Sequence, residues 1–164
     1  MLTSKWVIIL SAILAIFVLL YFLGRKSVHS EIMIAASPTA VWVVLMDTQK
    51  YREWNPVLIP IQGKLKEGEK VRDEFIQSAD KKSEIPSTVK KMIPNQLLNQ
   101  GGGMKGVITC DHRYILEAID GQTKVTIHED YAGIYVNFWN PKPVAAAYER
   151  LNQALKRRVE SMTN

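Results

Sequence analysis

The Asp-Gly dipeptide at residues 120–121 is the feature that most restricts how this chain folds. Both residue types tolerate the positive φ angles of a tight hairpin turn, and strand-like runs flank them at 107–116 and 123–131. A two-residue turn fixes the register of its strands, which places His112 opposite Glu129. In this register one face of the hairpin is mainly apolar and the other is mainly polar. The sequence therefore predicts an antiparallel sheet with one buried face.

The C-terminal segment predicts a long amphipathic helix that begins near Pro141 and Pro143. Its apolar residues recur every three or four positions, as expected for one buried helix face. They are Val144, Tyr148, Leu151, Leu155, Val159 and Met162. Further strand-like segments occur at 29–34, 57–65, 69–79, 85–93 and 96–100. We therefore expect an α+β fold of about six or seven antiparallel strands, with the apolar stripe of the C-terminal helix against the sheet.

Four shorter segments complete the predicted architecture. Residues 37–56 predict two short helices, with Ser37 as the N-cap of the first and Asn55 before a proline at the end of the second. Residues 24–27 predict a short basic link, and residues 80–83 a polar turn. The glycines at 101–103 predict a flexible hairpin connection. A phosphate-binding loop is disfavoured there, because neither a helix start nor a Lys-Ser/Thr pair follows.

Several segments, taken in order, resemble the START-like superfamily, also called SRPBCC or polyketide cyclase/dehydrase. They are ASPTAVWVVLMD, YREWNP, GKLKEG, HRYILEAIDGQTKVTIHEDYAG and LNQALKRRVE, within residues 28–159. The resemblance implies the helix-grip fold, in which a curved sheet wraps around the C-terminal helix. It also implies a cavity between the sheet and this helix that usually holds a hydrophobic ligand. It does not imply one particular chemistry, because a fold of this kind hosts many functions.

An apolar run without charged residues, at 6–23, precedes this domain. As a helix it would be ~27 Å long, close to the hydrocarbon thickness of a bilayer. A cleaved signal peptide is the alternative, but no small-x-small cleavage site follows the run directly. We therefore expect a single-pass membrane protein, with an N-terminal transmembrane anchor and basic flank at 1–26 and a START-like domain at 27–164. The flanking charges do not assign the side of the membrane on which the domain lies.

The net charge of +5 is concentrated beside the anchor. Lys5, Arg25 and Lys26 are three of the 21 Lys and Arg residues, so 18 remain in the domain against 16 Asp and Glu. A nearly neutral domain gives no case for nucleic-acid binding, whereas the basic flank favours anionic headgroups. The single cysteine, Cys110, excludes an internal disulfide and a multi-cysteine metal site. We expect neither a metal nor a cofactor.

Nine residues are predicted to line the ligand cavity, because large side chains with polar tips suit an apolar pocket. They are Trp54, Phe75, His112, Tyr114, Glu129, Tyr131, Trp139, Tyr148 and Leu151. Each aromatic residue, taken alone, also fits an ordinary packed core. His112 and Glu129 form the sharpest pair, since opposed inward residues have Cβ atoms roughly 5 Å apart and permit general acid–base chemistry. A polar pair that only shapes the pocket is the alternative.

Three functions are compatible with the sequence. The first is a membrane-anchored START-like domain that binds a lipid, an isoprenoid or a polyketide-like molecule in its cavity. The second is a cyclase, isomerase or dehydratase in which His112 and Glu129 are catalytic. The third is a protein-interaction module with a filled core. A cavity of several hundred Å³ separates the first function from the third.

Overall fold

The computed structural model describes residues 2–163, which form four α-helices, two short 3₁₀ helices and one seven-stranded antiparallel sheet. The α-helices are α1 (Leu2–Leu23), α2 (Pro38–Met46), α3 (Tyr51–Trp54) and α4 (Lys142–Thr163). The 3₁₀ helices are Thr48–Lys50 and Ile134–Asn137. The strands are β1 (Arg25–Ile34), β2 (Leu58–Gln62), β3 (Lys70–Ser78), β4 (Lys81–Ile93), β5 (Leu97–Met104), β6 (Ile108–Ile119) and β7 (Gln122–Ala132).

The sheet curls around α4 in the spatial order β1-β7-β6-β5-β4-β3-β2. On α4 the predicted apolar stripe packs against the sheet, and Leu151 and Leu155 have no exposed surface. Met162, in the last turn, is 57% exposed because the helix extends past the core there. The α+β helix-grip fold predicted from the sequence is therefore confirmed.

The β6–β7 hairpin adopts the predicted register. His112 pairs with Glu129 and Tyr114 with Ile127. Asp120 has φ 49°, in the left-handed region that the turn requires and that Asp tolerates. The inward-facing residues of these two pairs are all buried, so the alternation in the sequence identified the correct inner face.

The predicted flexible connection at Gly101–103 is wrong, because these glycines form the second half of β5. Gly102 pairs with Cys110 on one side and with Ser87 on the other. A Cβ atom on Gly102 would clash with the carbonyl oxygen of Pro86. Glycine is therefore present because the strands approach closely, and the turn follows at Gly106, which has φ 83°.

Two strands are longer than predicted. β4 begins at Lys81, inside the predicted polar turn at 80–83, and its first four residues are exposed. β1 begins at Arg25, so the predicted basic link at 24–27 is absent and Gly24 alone separates α1 from β1. Backbone pairing, of β1 with β7 and of β4 with β3, overrides the polar character of these segments, because a strand that projects into solvent needs no apolar side chains.

The segment between β1 and β2 closes one end of the core. Ser37 caps α2 as predicted, since its Oγ accepts a hydrogen bond from the Ala40 amide at 3.3 Å. Val41 and Leu45 of α2 have no exposed surface. The Tyr51 hydroxyl donates to the Leu45 carbonyl at 2.6 Å, which ties α3 to the end of α2.

α1 has the length and composition of a membrane-spanning helix over Lys5–Leu23, and this part is not buried against the domain. A signal sequence shares these properties, so membrane anchoring stays a prediction. The division at residues 26 and 27 also stays a prediction, and the two ends of the predicted segments, Met1 and Asn164, lie outside the described residues.

Truncation tests whether the domain begins before Ser27. We predict that residues 24–164 form a soluble folded domain, and that residues 27–164 unfold at a lower temperature. The shorter chain loses the pairing of Arg25 and Lys26 with β7 and the hydrogen bond from Lys26 Nζ to the Trp139 carbonyl at 2.5 Å. Circular dichroism melting of both chains measures the difference. Equal melting midpoints would show that the pairing of Arg25 and Lys26 with β7 does not stabilise the domain.

Candidate ligand-binding site

A cavity of about 90 Å³ lies between the inner face of the sheet and α4. Every strand except β1 contributes to its lining, and α4 contributes Tyr148. The lining residues are Leu58, Asp73, Phe75, Ile85, Ser87, Gln100, Gly101, Cys110, His112, Glu129, Tyr131 and Tyr148. The walls are mostly apolar, with a small number of polar groups directed inward, which is the usual character of a small-molecule site.

A second cavity of about 30 Å³ adjoins the first beneath α3, and Tyr114 lies in its wall. The two cavities share Leu58, Asp73 and Gln100, which separate them. Both are much smaller than the roughly 300–1,000 Å³ of sites that enclose a drug-sized ligand. In this conformation the site accepts a small molecule or one end of an elongated one.

The first cavity opens toward the end of the sheet where β1 begins. Inward-facing residues become more exposed in that direction: along β6 from His112 to Cys110, and along β4 from Val89 to Ile85. At the opposite end Leu116 stays buried near α2. We call the open end, beside Ile85 and Cys110, the mouth of the cavity.

The carboxylate of Glu129 is the polar centre of the cavity wall. Its Oε2 atom accepts hydrogen bonds from the hydroxyls of Tyr131, at 2.5 Å, and of Tyr148. His112 Nδ1 lies 3.7 Å from the same oxygen, which is an ion-pair distance rather than a hydrogen bond. Burial alone would raise the pKa of Glu129, but His112 and the two hydroxyls outweigh burial and lower it. Glu129 is therefore ionised at neutral pH.

Four buried side-chain polar atoms make no hydrogen bond to any part of the chain that the structure describes, and two of them belong to residues that line the cavities. These two are Nε2 of His112 and the hydroxyl of Tyr114, whose rings are 5.0 Å apart. Nδ1 of His112 faces the Glu129 carboxylate, so Nε2 is the ring nitrogen left to a ligand: it accepts a hydrogen bond if the ring carries one proton, on Nδ1, and donates one if both nitrogens are protonated. An unpaired polar atom in a protein interior carries a desolvation cost that a ligand hydroxyl can offset.

Asp73 is the second carboxyl group in the cavity wall. Burial raises the pKa of Asp73 to about 6, and the nearby imidazole of His112 only partly opposes this. The thiol of Cys110 is not activated, because burial and the Glu129 carboxylate raise its pKa to about 12. Cys110 is therefore a wall residue rather than a nucleophile at neutral pH.

The structure brings most of the predicted site residues together. Phe75, His112, Glu129, Tyr131 and Tyr148 line the first cavity, and Tyr114 lines the second. Trp139 is adjacent to the site, since its ring packs on Tyr131 with centroids 4.4 Å apart.

The other two predicted residues lie outside both linings. Leu151 is completely buried in the core beneath the sheet. Trp54 packs on Tyr51 with ring centroids 5.0 Å apart and lines a separate surface groove with Arg158. Helical spacing identifies a buried face, but it does not distinguish a core contact from a cavity contact.

Sequence reasoning missed Asp73 as a site residue. Because side chains alternate along a strand, the inward direction of Phe75 also places Asp73 and Val71 on the inner face. Asp73 was therefore detectable as a carboxyl group between two buried apolar residues. Ser87 and Gln100 carried no comparable signal, because polar residues of these types are common on either face of a strand.

Comparison with known proteins places the whole domain in one family model. Residues 25–160 match the model described as polyketide cyclase / dehydrase and lipid transport. No curated protein shows significant similarity to the sequence.

Solved structures with the same fold cover most of the chain. The protein TTHA0849 from Thermus thermophilus has a TM-score of 0.68 at 16% identity, over 85% of this chain and 100% of that one. Ara h 8.0201 has a TM-score of 0.62 at 12% identity, over 84% and 99%. The di-domain ARO/CYC protein StfQ from the steffimycin biosynthetic pathway has a TM-score of 0.68 at 8% identity, over 85% and 52%. Identities this low show a shared fold only.

Two buried tyrosines provide a matched test of the unpaired hydroxyl. Tyr51→Phe removes a donor from the Leu45 carbonyl, so we expect it to lower the free energy of unfolding by about 1–2 kcal/mol. Tyr114→Phe removes a hydroxyl without a described protein partner, so ligand-free protein should keep or gain stability. Urea denaturation of both variants measures the difference. If Tyr114→Phe lowered the free energy of unfolding as much as Tyr51→Phe, the Tyr114 hydroxyl would not be unpaired.

The raised pKa of Asp73 predicts a pH-dependent stability. Burial favours the protonated carboxyl, so its contribution is full below about pH 4 and is lost as the pH rises through about 6. Asp73→Asn cannot ionise and should be more stable than the natural chain at neutral pH, but not below about pH 4. Glu84→Gln, on an exposed pair with Arg72, is the control. If the stability difference between Asp73→Asn and the natural chain did not change with pH, burial would not be raising the pKa of Asp73.

Proposed function

The chain belongs to the polyketide cyclase / dehydrase and lipid transport family, and we propose that its cavity binds a hydrophobic molecule with one neutral polar end. Lipid alcohols, isoprenoids and polyketide-like compounds fit this description. The observation that carries the proposal is the buried Nε2 of His112, which lies in an apolar cavity without a partner among the described residues.

The charge of the cavity wall supports a neutral polar group on the ligand. Glu129 is ionised, and Asp73 with a pKa of about 6 also carries charge at neutral pH. A ligand carboxylate or phosphate placed here would be repelled by both groups. A hydroxyl can instead form a hydrogen bond with His112 Nε2, because it is both a donor and an acceptor.

The size of the cavity supports a slender ligand. A volume of about 90 Å³ accommodates a short polar end with a few carbons. The remainder of the ligand would lie along the mouth. Trp139 and Tyr131 form an aromatic wall there, which suits an apolar chain or ring.

We further propose that α1 anchors the domain in a membrane as a single-pass N-terminal helix. Its length and composition support this role. Tethering would hold the cavity near a reservoir of hydrophobic ligand and raise the effective concentration that the site experiences.

Native mass spectrometry of the full chain in mild detergent, followed by solvent extraction, tests ligand binding. We predict a co-purifying neutral hydrophobic molecule. Ser87→Leu should abolish it, because Ser87 lines the cavity. Thr88→Leu is the control, since Thr88 is the next residue along β4 and its side chain therefore lies on the opposite face of the sheet.

A protein without a bound molecule, and without displacement of a fluorescent lipid probe, would contradict the proposal. That outcome would favour the protein-interaction module, for which the small cavity volume is the supporting observation. Equal retention of ligand by Ser87→Leu and Thr88→Leu would place binding outside the cavity.

Acid–base catalysis by His112 and Glu129 is the second candidate function. One ring nitrogen of His112 faces an ionised carboxylate and the other faces the cavity, an arrangement suited to a general base. Asp73, with a pKa of about 6, can exchange a proton near neutral pH. If the protein is a hydratase or dehydratase, Glu129→Gln should co-purify with a molecule that differs from the natural one by one water. Identical masses in both preparations would exclude the gain or loss of water as the reaction.

A further inference from the structure

The junction between α1 and the domain has no flexible linker. Gly24 follows the last residue of α1 and precedes the first residue of β1. Its amide donates to the Leu20 carbonyl at 2.9 Å, and its carbonyl accepts from the Gly133 amide at 2.9 Å. The helix therefore continues into the sheet through one residue that is hydrogen-bonded on both sides.

Side-chain contacts fix this junction further. Asn137 Nδ2 donates to the Leu20 carbonyl at 2.8 Å and to the Ile134 carbonyl at 2.9 Å. The Leu20 carbonyl therefore accepts two hydrogen bonds, one from the Gly24 amide and one from the domain. A Cβ atom on Gly24 would clash with the carbonyl of Gly133, so the two backbones pack in direct contact. The direction of α1 is set by the domain.

Exposed apolar side chains surround the same junction. Phe138 is 74% exposed, and Met104, in the β5–β6 hairpin, is 66% exposed. Tyr135 and Val107 are also exposed, and the Tyr135 amide donates to the Val107 carbonyl at 3.0 Å. The 3₁₀ helix Ile134–Asn137 and the β5–β6 turn therefore form one apolar surface beside the C-terminal end of α1. We call these four residues the apolar rim.

Basic residues accompany the apolar rim. Arg25, Lys105 and Lys142 are exposed at this end of the sheet. Of the acidic residues there, Asp130 is paired with Arg113 at 3.2 Å, and Asp80 lies in the β3–β4 turn just before Lys81. Exposed aromatic and apolar side chains with lysine and arginine between them match the interface of a bilayer that contains anionic lipids.

The mouth of the cavity lies at this same end. Cys110 is two residues from the start of β6, and Tyr131 is one residue from the end of β7. Lys26, the second residue of β1, pairs with Tyr131 and donates to the Trp139 carbonyl. The mouth is therefore separated from the end of α1 by only a few residues along β1.

We propose that the apolar rim rests on the bilayer that α1 crosses, so that the cavity opens onto the lipid surface and its ligand enters from the membrane. This inference rests on the anchoring and the ligand binding proposed above. A bilayer covers α1, the apolar rim and the mouth at once. A second copy of the chain would have to cover the rim while leaving α1 free to insert.

Depth measurement with spin labels tests the orientation directly. The full chain, with Cys110→Ser to remove its native thiol, is placed in vesicles of phosphatidylcholine and phosphatidylglycerol. Labels are attached at Met104→Cys or, as the matched control, at Ile119→Cys beside the turn at the opposite end of the sheet. We expect the label at 104 to be accessible to oxygen and shielded from an aqueous nickel complex, and the label at 119 to show the reverse.

Either of two results would overturn the orientation. Equal access of the nickel complex to both labels would place the apolar rim in water. Shielding of the label at 104 from both oxygen and nickel, together with dipolar broadening between labels, would show that a second copy covers the rim.

Retinol, a fluorescent isoprenoid alcohol, tests entry from the membrane. Phe138→Asp should slow its transfer from vesicles to the full chain several-fold, while its affinity in detergent stays unchanged. Val43→Asp, on an exposed position of α2 at the far end of the core, should transfer retinol at the natural rate. A natural rate for Phe138→Asp would overturn entry across the rim.

The two experiments separate the two proposals. If retinol does not bind even in detergent, the proposed ligand class is wrong, and the label depths alone decide whether the rim rests on the bilayer. If retinol binds but the label at 104 lies in water, ligand binding stands and the orientation is wrong.

Discussion

A buried ionised carboxylate determines how the inner face of this domain is arranged. Glu129 on β7 accepts hydrogen bonds from Tyr131 on the same strand and from Tyr148 on α4. An unpaired carboxylate at this depth would be very costly, so the long helix and the sheet must keep these donors in place. The position of α4 over the sheet, and hence the shape of the cavity, depends on this cluster as well as on apolar packing.

The same cluster determines what the cavity can recognise. Because Glu129 lies beside Nδ1 of His112, the second nitrogen of that ring is left facing an apolar space. The negative charge disfavours an anionic ligand, and the small volume disfavours a bulky one. Binding of one neutral polar end, with the apolar remainder of the ligand at the mouth, is consistent with the unpaired nitrogen, the negative charge and the small volume. This mode of binding is also consistent with the position of the mouth, which lies near the C-terminal end of the apolar helix α1.

Sequence periodicity predicted the parts of this structure that depend on alternation within one element. The register of His112 with Glu129 followed from the Asp-Gly turn, and the buried face of α4 followed from helical spacing. The role of Gly102 could not be predicted, because it arises from the close approach of Pro86 on a neighbouring strand. The separation of cavity residues from core residues such as Leu151 depends on sheet curvature, which periodicity does not encode.

The chemical shift of His112 Nε2 tests the central claim most directly. Long-range ¹H–¹⁵N correlation spectra of the imidazole are recorded on the protein with its co-purified or added hydrophobic ligand, and again after solvent extraction. We expect Nε2 to shift on binding, because the ligand hydroxyl forms a hydrogen bond with it, while Nδ1 beside Glu129 changes little. A bound ligand that leaves Nε2 unchanged would contradict the account.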